Sequence, residues 1–473
     1  MSSKFELSSL TGWSDLATWR LFCALDFAGW ALKHMFLQKK MNVLTIAAPN
    51  CTEFPELHFV SANVVKKISE EESGGASVLQ FLSTEGSFDL IVAPSLLHLV
   101  HDHMVILNQI RKHMKSGAFL LVGASTVDRM SMPFHFFHYM PMGLAAALMS
   151  AGFEVLELGQ FGSWAHEQVL LKDLRTVSTT SISKMLKMGG GTILNEPARP
   201  DRVWALARIA QWSGSDNTQT SPTFNGIDTS RGRIIRHICF KPSHIISLWR
   251  QHGPNDPYFD QFKRIDIYFH EHPATQWVKS WMQRKEFSRV LCLLDFERWS
   301  KKYGYDKIDR LLATDHSDPE LRFVKAQTIV TYQHQPKISG DLHYINDTNV
   351  YDLFFDFVLF SQTMEHLYDP MLCLVNLRNK MKTGGLIFSS VPTLNNQHMT
   401  PHHFFHYTPM GLIAIMESVG FLVLEIGQYG SWKFEHSVLG KLEWPDHTQF
   451  IHKGELDIDV KRPDNIWILA RKV

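Results

Sequence analysis

The feature that most constrains this chain is that much of it is written twice. From His135 to Trp164 and from His403 to Trp432, 30 residues align without a gap at an offset of 268, and 21 of them are identical. A repeat of that length is a duplicated structural unit, so a fold that serves one half must serve the other. The match extends both ways. "FDLIVAPSLLHLVHDHMVILNQIRKHMKSG" from Phe88 lies over "FDFVLFSQTMEHLYDPMLCLVNLRNKMKTGG" from Phe355 with a one-residue gap, and "RPDRVWALAR" from Arg199 lies over "RPDNIWILAR" from Arg462. Upstream, "WALKHMFLQKKMNVL" at Trp30 is set against "WVKSWMQRKEFSRVL" at Trp277.

The repeat sets the domain organisation. After Arg208 comes "QWSGSDNTQTSPTFNGIDTSRG", rich in Ser, Thr, Gly, Asn and Asp and without a periodic apolar face, which reads as a linker. Two domains are expected, residues 1–211 and 231–473, joined by a linker over 212–230. In the second, short apolar runs predict strands at Val290 to Leu294, Leu311 to Thr314, Leu321 to Val324, Phe357 to Phe360, Leu386 to Ser389, Leu422 to Ile426 and Ile466 to Ala470. Such runs, separated by helical patterns, predict an α/β fold: a mostly parallel sheet with helices on both faces, built twice. The stretch "HFFHYTPMGL" from His403 feeds a helix with Thr408 as N-cap, Pro409 in its first turn and Gly420 as its stop,. Its His-Phe-Phe-His-Tyr part is then a loop near the carboxyl ends of the strands, where open α/β sheets place ligands.

"FDFVLFSQTMEHLYDP", "NLRNKMKTGGLIFSSVP" and "PHHFFHYTPMGLIAIMESVGF" together resemble the second half of class I S-adenosylmethionine-dependent methyltransferases of the small-molecule type. The matching positions are Asp356, Glu365, His366, Lys382, Gly384, Gly385, Pro392, Gly411, Gly420 and Phe421. The first copy keeps Asp89, His98, Lys115, Gly117, Gly143, Gly152 and Phe153, with Leu97 for the Glu and Ala124 for the Pro. The resemblance implies two tandem Rossmann-like methyltransferase domains, S-adenosylmethionine as cofactor, and methyl transfer to a small molecule. The half of the fold that would hold the cofactor departs from the pattern. In that family the first strand is followed by a glycine-rich turn, because a side chain there would collide with the cofactor. The second copy reads "VLCLLDFERW" from Val290, with Leu294 and Phe296 at the glycine positions, and the first reads "VLTIAAPNC" from Val43, with Ala47 and Pro49 there.

The same resemblance nominates site residues in the second copy. Asp295 lies in the turn after the expected first strand, Asp315 is the candidate for the ribose hydroxyls, Asp341 for the adenine side, and Glu365 for the end of the fourth strand,. His366 and His406 are the candidate general bases,. The first copy has 46 residues from Val43 to Asp89 against 66 from Val290 to Asp356. About 20 residues of its cofactor half therefore read as missing and the copy as non-catalytic. Two functions follow: methyl transfer by the second copy alone, or a pseudoenzyme in which both copies have lost the cofactor and serve binding or assembly. His398, His402, His403 and His406 suggest a metal only weakly, since the first copy keeps just His135 and His138. A loop over the pocket, anchored by Phe404, Phe405 and Tyr407, is the expectation, with no metal.

Composition narrows the partners. Lys plus Arg and Asp plus Glu are 47 each, so no net field draws the chain to nucleic acid or anionic lipid. Arg20, Asp26 and Lys33 interrupt the most apolar N-terminal stretch, which argues against a membrane span,. Five dispersed cysteines without metal or disulfide spacing point to a reducing, cytoplasmic setting,. A small-molecule ligand and packing of the two copies on each other are the remaining expectations.

Overall fold

The computed structural model describes residues 18–48, 53–69, 75–83, 86–126, 135–162, 202–210, 223–224, 227–228, 287–315, 317–332, 342–347, 355–394, 402–441, 451–452, 455–456 and 463–473. The chain divides into two units. The first comprises Met1–Arg129 and Tyr139–Ser213, the second Met130–His138 and Gly214–Val473. A nine-residue piece of the first copy therefore counts with the second unit.

In the first unit the elements run α1 (Thr18–Lys33), β1 (Met41–Ala47), β2 (Ala62–Ser69), α2 (Ala76–Leu82), β3 (Phe88–Ala93), α3 (His103–Lys112), β4 (Met114–Ser125), the short β5 (Phe137–Tyr139) that straddles the division, α4 (Pro141–Ser150), β6 (Phe153–Phe161) and β7 (Arg202–Ile209). The sheet order is β2-β1-β3-β4-β7-β6, and β7 alone runs against the other five strands. Two-residue strands β8 (Thr223–Phe224) and β9 (Ile227–Asp228) then pair within the stretch read as a linker. The residues between them are Asn225 and Gly226, a hairpin signal that its polarity had hidden.

The second unit repeats the plan with α5 (Phe287–Tyr303), β10 (Ile308–Ala313), β11 (Ala326–Thr331), β12 (Phe355–Ser361), α6 (Pro370–Asn379), β13 (Met381–Pro392), β14 (Phe405–Tyr407), α7 (Pro409–Ser418), β15 (Phe421–Tyr429), α8 (Trp432–Lys441), β16 (Ile451–His452), β17 (Glu455–Leu456) and β18 (Asn465–Lys472). Its sheet order is β11-β10-β12-β13-β18-β15, again with one reversed strand, β18. Each sheet is thus a Rossmann-like, mostly parallel α/β layer with buried, near-continuous apolar strands such as β3 and β12,.

Several expectations about the first third of each copy are corrected. Val290 to Leu294 is not a strand. It lies inside α5, a 17-residue helix whose inner turns are buried almost all round, so an apolar run there carries no period by which to tell the two apart. Gly304, at φ +71°, stops it, and Lys301 and Lys302 sit in its last turn,. The first strand is β10, the run read as the second, and Leu321 to Val324 falls on a single 3-10 turn over Pro319–Phe323. The first copy is not shortened. Val43 pairs with Leu90 and Leu311 with Phe357, separations of 47 and 46 residues. Trp277 lies outside the described residues. The counterpart of α1 is α5, where Arg20, Cys23, Asp26, Phe27 and Trp30 recur as Arg289, Cys292, Asp295, Phe296 and Trp299.

The one-residue gap is also unnecessary. Phe88 and Phe355 begin matching strands, and Asp102 and Asp369 cap matching helices through Met104, Val105 and Leu372 N–H groups at 3.0 Å. With both ends fixed at the same spacing, His98 stands where Glu365 does and Leu99 where His366 does. At the α7 terminus the sequence reading holds: Thr408 Oγ1 accepts from Gly411 N–H at 3.0 Å, Pro409 follows, and Gly420 takes φ +86°,.

Candidate functional site

In a doubly wound sheet the ligand crevice opens at the carboxyl ends of the strands where the chain reverses its direction of winding. That point falls between β1 and β3 in one unit and between β10 and β12 in the other. In the second unit the turn leaving β10 is Thr314-Asp315-His316-Ser317-Asp318-Pro319-Glu320, without a glycine. Thr314 N–H continues the pairing onto the Leu359 carbonyl at 3.1 Å, and its hydroxyl lies 3.0 Å from that of Thr363. Asp315 accepts from the Ser317 N–H and hydroxyl, both at 2.8 Å, so its carboxylate closes its own turn,.

Glu320, fully buried, fills the space beside the strand ends. It accepts from Arg289 at 2.7 Å and from Ser361, the last residue of β12, at 3.1 Å. The other arm of the guanidinium donates to Ser390, near the end of β13, at 2.6 Å. Gln362, held at φ +45°, donates to Ser390 and to Asn465 of β18, each at 3.2 Å, an unusual backbone state that marks a constrained position. Asp318 lies 3.7 Å from Arg289. Burial, with the Glu320 carboxylate beside it, pushes its carboxyl up to about 8,. The crevice mouth is a closed network of the chain's own charges. The first unit builds the same device from Arg20 and Glu56, a carboxylate with no exposure, while Arg202 donates to Ser125 at the end of β4 at 2.8 Å.

The nominated residues fall into three groups. Asp295 is not in a turn after a strand but on α5, accepting from Trp467 Nε1 at 2.9 Å, and Asp26 does the same for Trp204 at 3.0 Å. It ties helix to sheet. Leu294 and Phe296 stand on that helix too, Phe296 packed on Phe388 at 4.6 Å and Tyr305 at 5.2 Å, so neither occupies a cofactor turn. Asp315 follows the first strand, not the second, so it is one strand removed from the ribose position. Asp341 lies outside the described residues. Glu365, His366 and His406 do come together. His366 sits 3.8 Å from the Glu365 carboxylate, and its Nδ1 donates to the His402 carbonyl at 2.8 Å. His403 packs at 5.6 Å from His366 and 4.6 Å from His406. Burial lowers the His366 pKa below the ordinary imidazole value,. His403, Phe404, Phe405, His406 and Tyr407 are all buried, and β14 makes this motif a strand rather than an open loop. Among the described residues no group of three or more His, Cys, Asp or Glu could hold a metal.

Arg289 and Glu320 were missed by sequence reasoning. Their signal was present: the segment Pro319 to Phe323 repeats Pro55 to Phe59 except at one position, and the Arg-x-x-Cys-x-Leu-Asp-Phe spacing recurs from Arg20 to Arg289.

Two mostly parallel sheets, each with its winding reversed between the first and third strands in chain order and with one reversed strand, make the protein a tandem pair of Rossmann-like α/β domains. No protein-family model matches the chain, and no curated protein matches it. Among solved structures it is similar to an S-adenosylmethionine-dependent methyltransferase from Archaeoglobus fulgidus, at 17% identity over 37% of this chain and 92% of that one, with a TM-score of 0.25. It is also similar to phosphoethanolamine N-methyltransferase 2 of Haemonchus contortus in complex with S-adenosyl-L-methionine, at 10% identity over 95% and 99% of the two chains, TM-score 0.26. A third is the 1,6-didemethyltoxoflavin-N1-methyltransferase of Burkholderia thailandensis, at 9% identity over 50% and 93%, TM-score 0.26. The fold assignment rests on the strand order itself.

Proposed function

We propose that this protein is a methyltransferase-like pseudoenzyme that keeps the fold and uses it for binding or assembly. The observation that carries this reading is the buried pair at the switch point, Arg289 with Glu320, repeated as Arg20 with Glu56. S-adenosylmethionine would bring a carboxylate, an ammonium and a sulfonium to that place. The described residues do not fit it. The turn has no glycine for close backbone approach, and the guanidinium, the carboxylate and the two serine hydroxyls already satisfy one another,. Admitting the cofactor would mean parting a desolvated ion pair, a loss of about 3–5 kcal/mol when one partner is stranded.

Calorimetric titration of the full chain with S-adenosylmethionine, and with its demethylated product, tests the reading. No saturable heat is expected up to millimolar ligand. Saturable micromolar binding that disappears in Asp315→Ala would overturn it.

A second reading, methyl transfer to a small molecule by the second copy with the first non-catalytic, is favoured by His366. Its lowered pKa keeps the ring neutral near pH 7, and with Nδ1 donating to the His402 carbonyl, the ring nitrogen that carries the lone pair is Nε2, 3.8 Å from the Glu365 carboxylate,. The first copy has Leu99 at that position. The cytoplasm is the compartment we propose, since Cys23, Cys292 and Cys373 are buried thiols rather than disulfides,.

A further inference from the structure

We infer that the His135–His138 segment of the first copy is an intramolecular ligand of the second unit, and that the doubled His-Phe-Phe-His motif is retained as the two sides of this clasp rather than as part of a substrate pocket. The inference is independent of whether any cofactor binds. Residues 130–138 count with the second unit although the chain on both sides of them counts with the first. What holds them there is specific. Thr408 N–H donates to the Phe136 carbonyl at 3.2 Å, and the Thr408 hydroxyl reaches the carbonyls of both His135 and Phe136. His138 Nδ1 donates to the Thr393 carbonyl at 3.1 Å, which fixes its tautomer,. The Phe137 ring stands edge-on to Tyr407 at 5.7 Å and tilted on Phe405 at 6.4 Å,.

Of the polar groups that the second copy offers here, the Thr408 hydroxyl is the one its repeat lacks, since the Thr393 carbonyl is matched by that of Thr126. Met140 stands in the first copy where Thr408 stands in the second, and the α4 terminus it begins has no side-chain cap. The Thr408 hydroxyl contacts therefore run from the second copy to the first and have no side-chain counterpart at Met140. The tightest point of the clasp is Gly411, where a Cβ would lie 1.8 Å from the Phe136 carbonyl oxygen. No side chain fits while the segment is in place. Ala is otherwise the better helix former, so Gly411→Ala favours α7 taken alone and acts against the clasp.

The test uses the full chain with a protease recognition site inserted between Ser213 and Gly214, cut after folding. The nicked native protein is expected to elute as one species at micromolar concentration, because the first fragment carries the segment that the second holds. Gly411→Ala is expected to weaken the association of the two fragments at least 100-fold, so that they elute apart. Separation of the nicked native protein into two species would overturn the inference, as would co-elution of the Gly411→Ala protein with unchanged affinity. Should Gly411→Ala fail to fold, Thr408→Val and Thr408→Ser are compared in the nicked chain. Serine keeps the hydroxyl and is expected to retain association, whereas valine is expected to lose at least tenfold; equal affinities would overturn the clasp.

Discussion

Replacing Arg289 by Met leaves Glu320 with no exposure and a single remaining donor, the Ser361 hydroxyl at 3.1 Å. Breaking a buried ion pair from one side costs about 3–5 kcal/mol, because the remaining charge is neither solvated nor paired. Ser390 adds little to this loss, since Gln362 still donates to it at 3.2 Å. The double variant Arg289→Met with Glu320→Leu removes both charges and fills the same space. Such swaps range from neutral to about 4 kcal/mol stabilising, less about 1 kcal/mol for the Ser361 hydroxyl left without its acceptor. The double variant is therefore expected to exceed the single one by roughly 2 kcal/mol or more. Urea unfolding of the full chain, followed through the buried Trp299 and Trp467 of the second unit, gives both values from the midpoint and slope. A single-variant loss under about 1 kcal/mol, well below the buried-pair range, or a double variant as unstable as the single one, would refute the reasoning. The pair would then be a hydrated contact and the crevice open.

Three further outcomes follow from the same geometry. Asp318 and Asp464 are both raised by burial to about 8, so each is protonated in the folded protein and ionised near pH 4 when unfolded. Their contribution is complete below that pH and is lost as pH rises through about 8; Asp318→Asn should flatten the melting temperature between pH 5 and 8, and an unchanged slope would count against the assignment. Asp295→Leu strands the Trp467 N–H, a loss of about 1–3 kcal/mol, read as a lower melting temperature with altered tryptophan emission; an effect on ligand binding without one on stability would restore Asp295 to a cofactor role. Gly420→Ala forces a side chain into φ +86° with Arg378 Nε 3.1 Å away, a loss of about 1–2 kcal/mol, and thermal stability equal to the native protein would show that the turn relaxes.

What could be read from the sequence lay at the amino ends of the strands and in the caps. Asp89 and Asp356, which carry much of the family resemblance, bond Lys115 and Lys382 at 2.7 Å and accept from the N–H groups of Asn42 and Arg310 at the start of the neighbouring strand. They hold the sheet together at the end opposite the crevice, so they report the fold and are silent on the cofactor. The N-cap and stop of α7 were legible because Thr-Pro and Gly act locally. The first strand was not. A helix buried all round shows no 3.6-residue period, and reading Val290 to Leu294 as a strand shifts every later assignment in the cofactor half by one element,. Asp315 inherited that shift. The closed network could not be seen, because Arg289 and Glu320 are 31 residues apart and meet only through the fold.

The clasp also has a temporal side. The Thr408 hydroxyl and the His135 carbonyl are separated by 273 residues. At a synthesis rate of about 5–20 residues per second, the ribosome takes on the order of half a minute to reach Thr408 after His135. From the completion of the first copy at residue 211 until Thr408 is made, that copy holds a strip of buried-type residues, Phe136 and Phe137 among them, whose host has not been made. Such a strip exposed on a nascent chain is a site for chaperone engagement or for pairing with a neighbouring chain on the same message, and long-range contacts of this kind slow folding. The duplication that gave the chain two related but unequal motifs therefore also sets the order in which its parts can become stable.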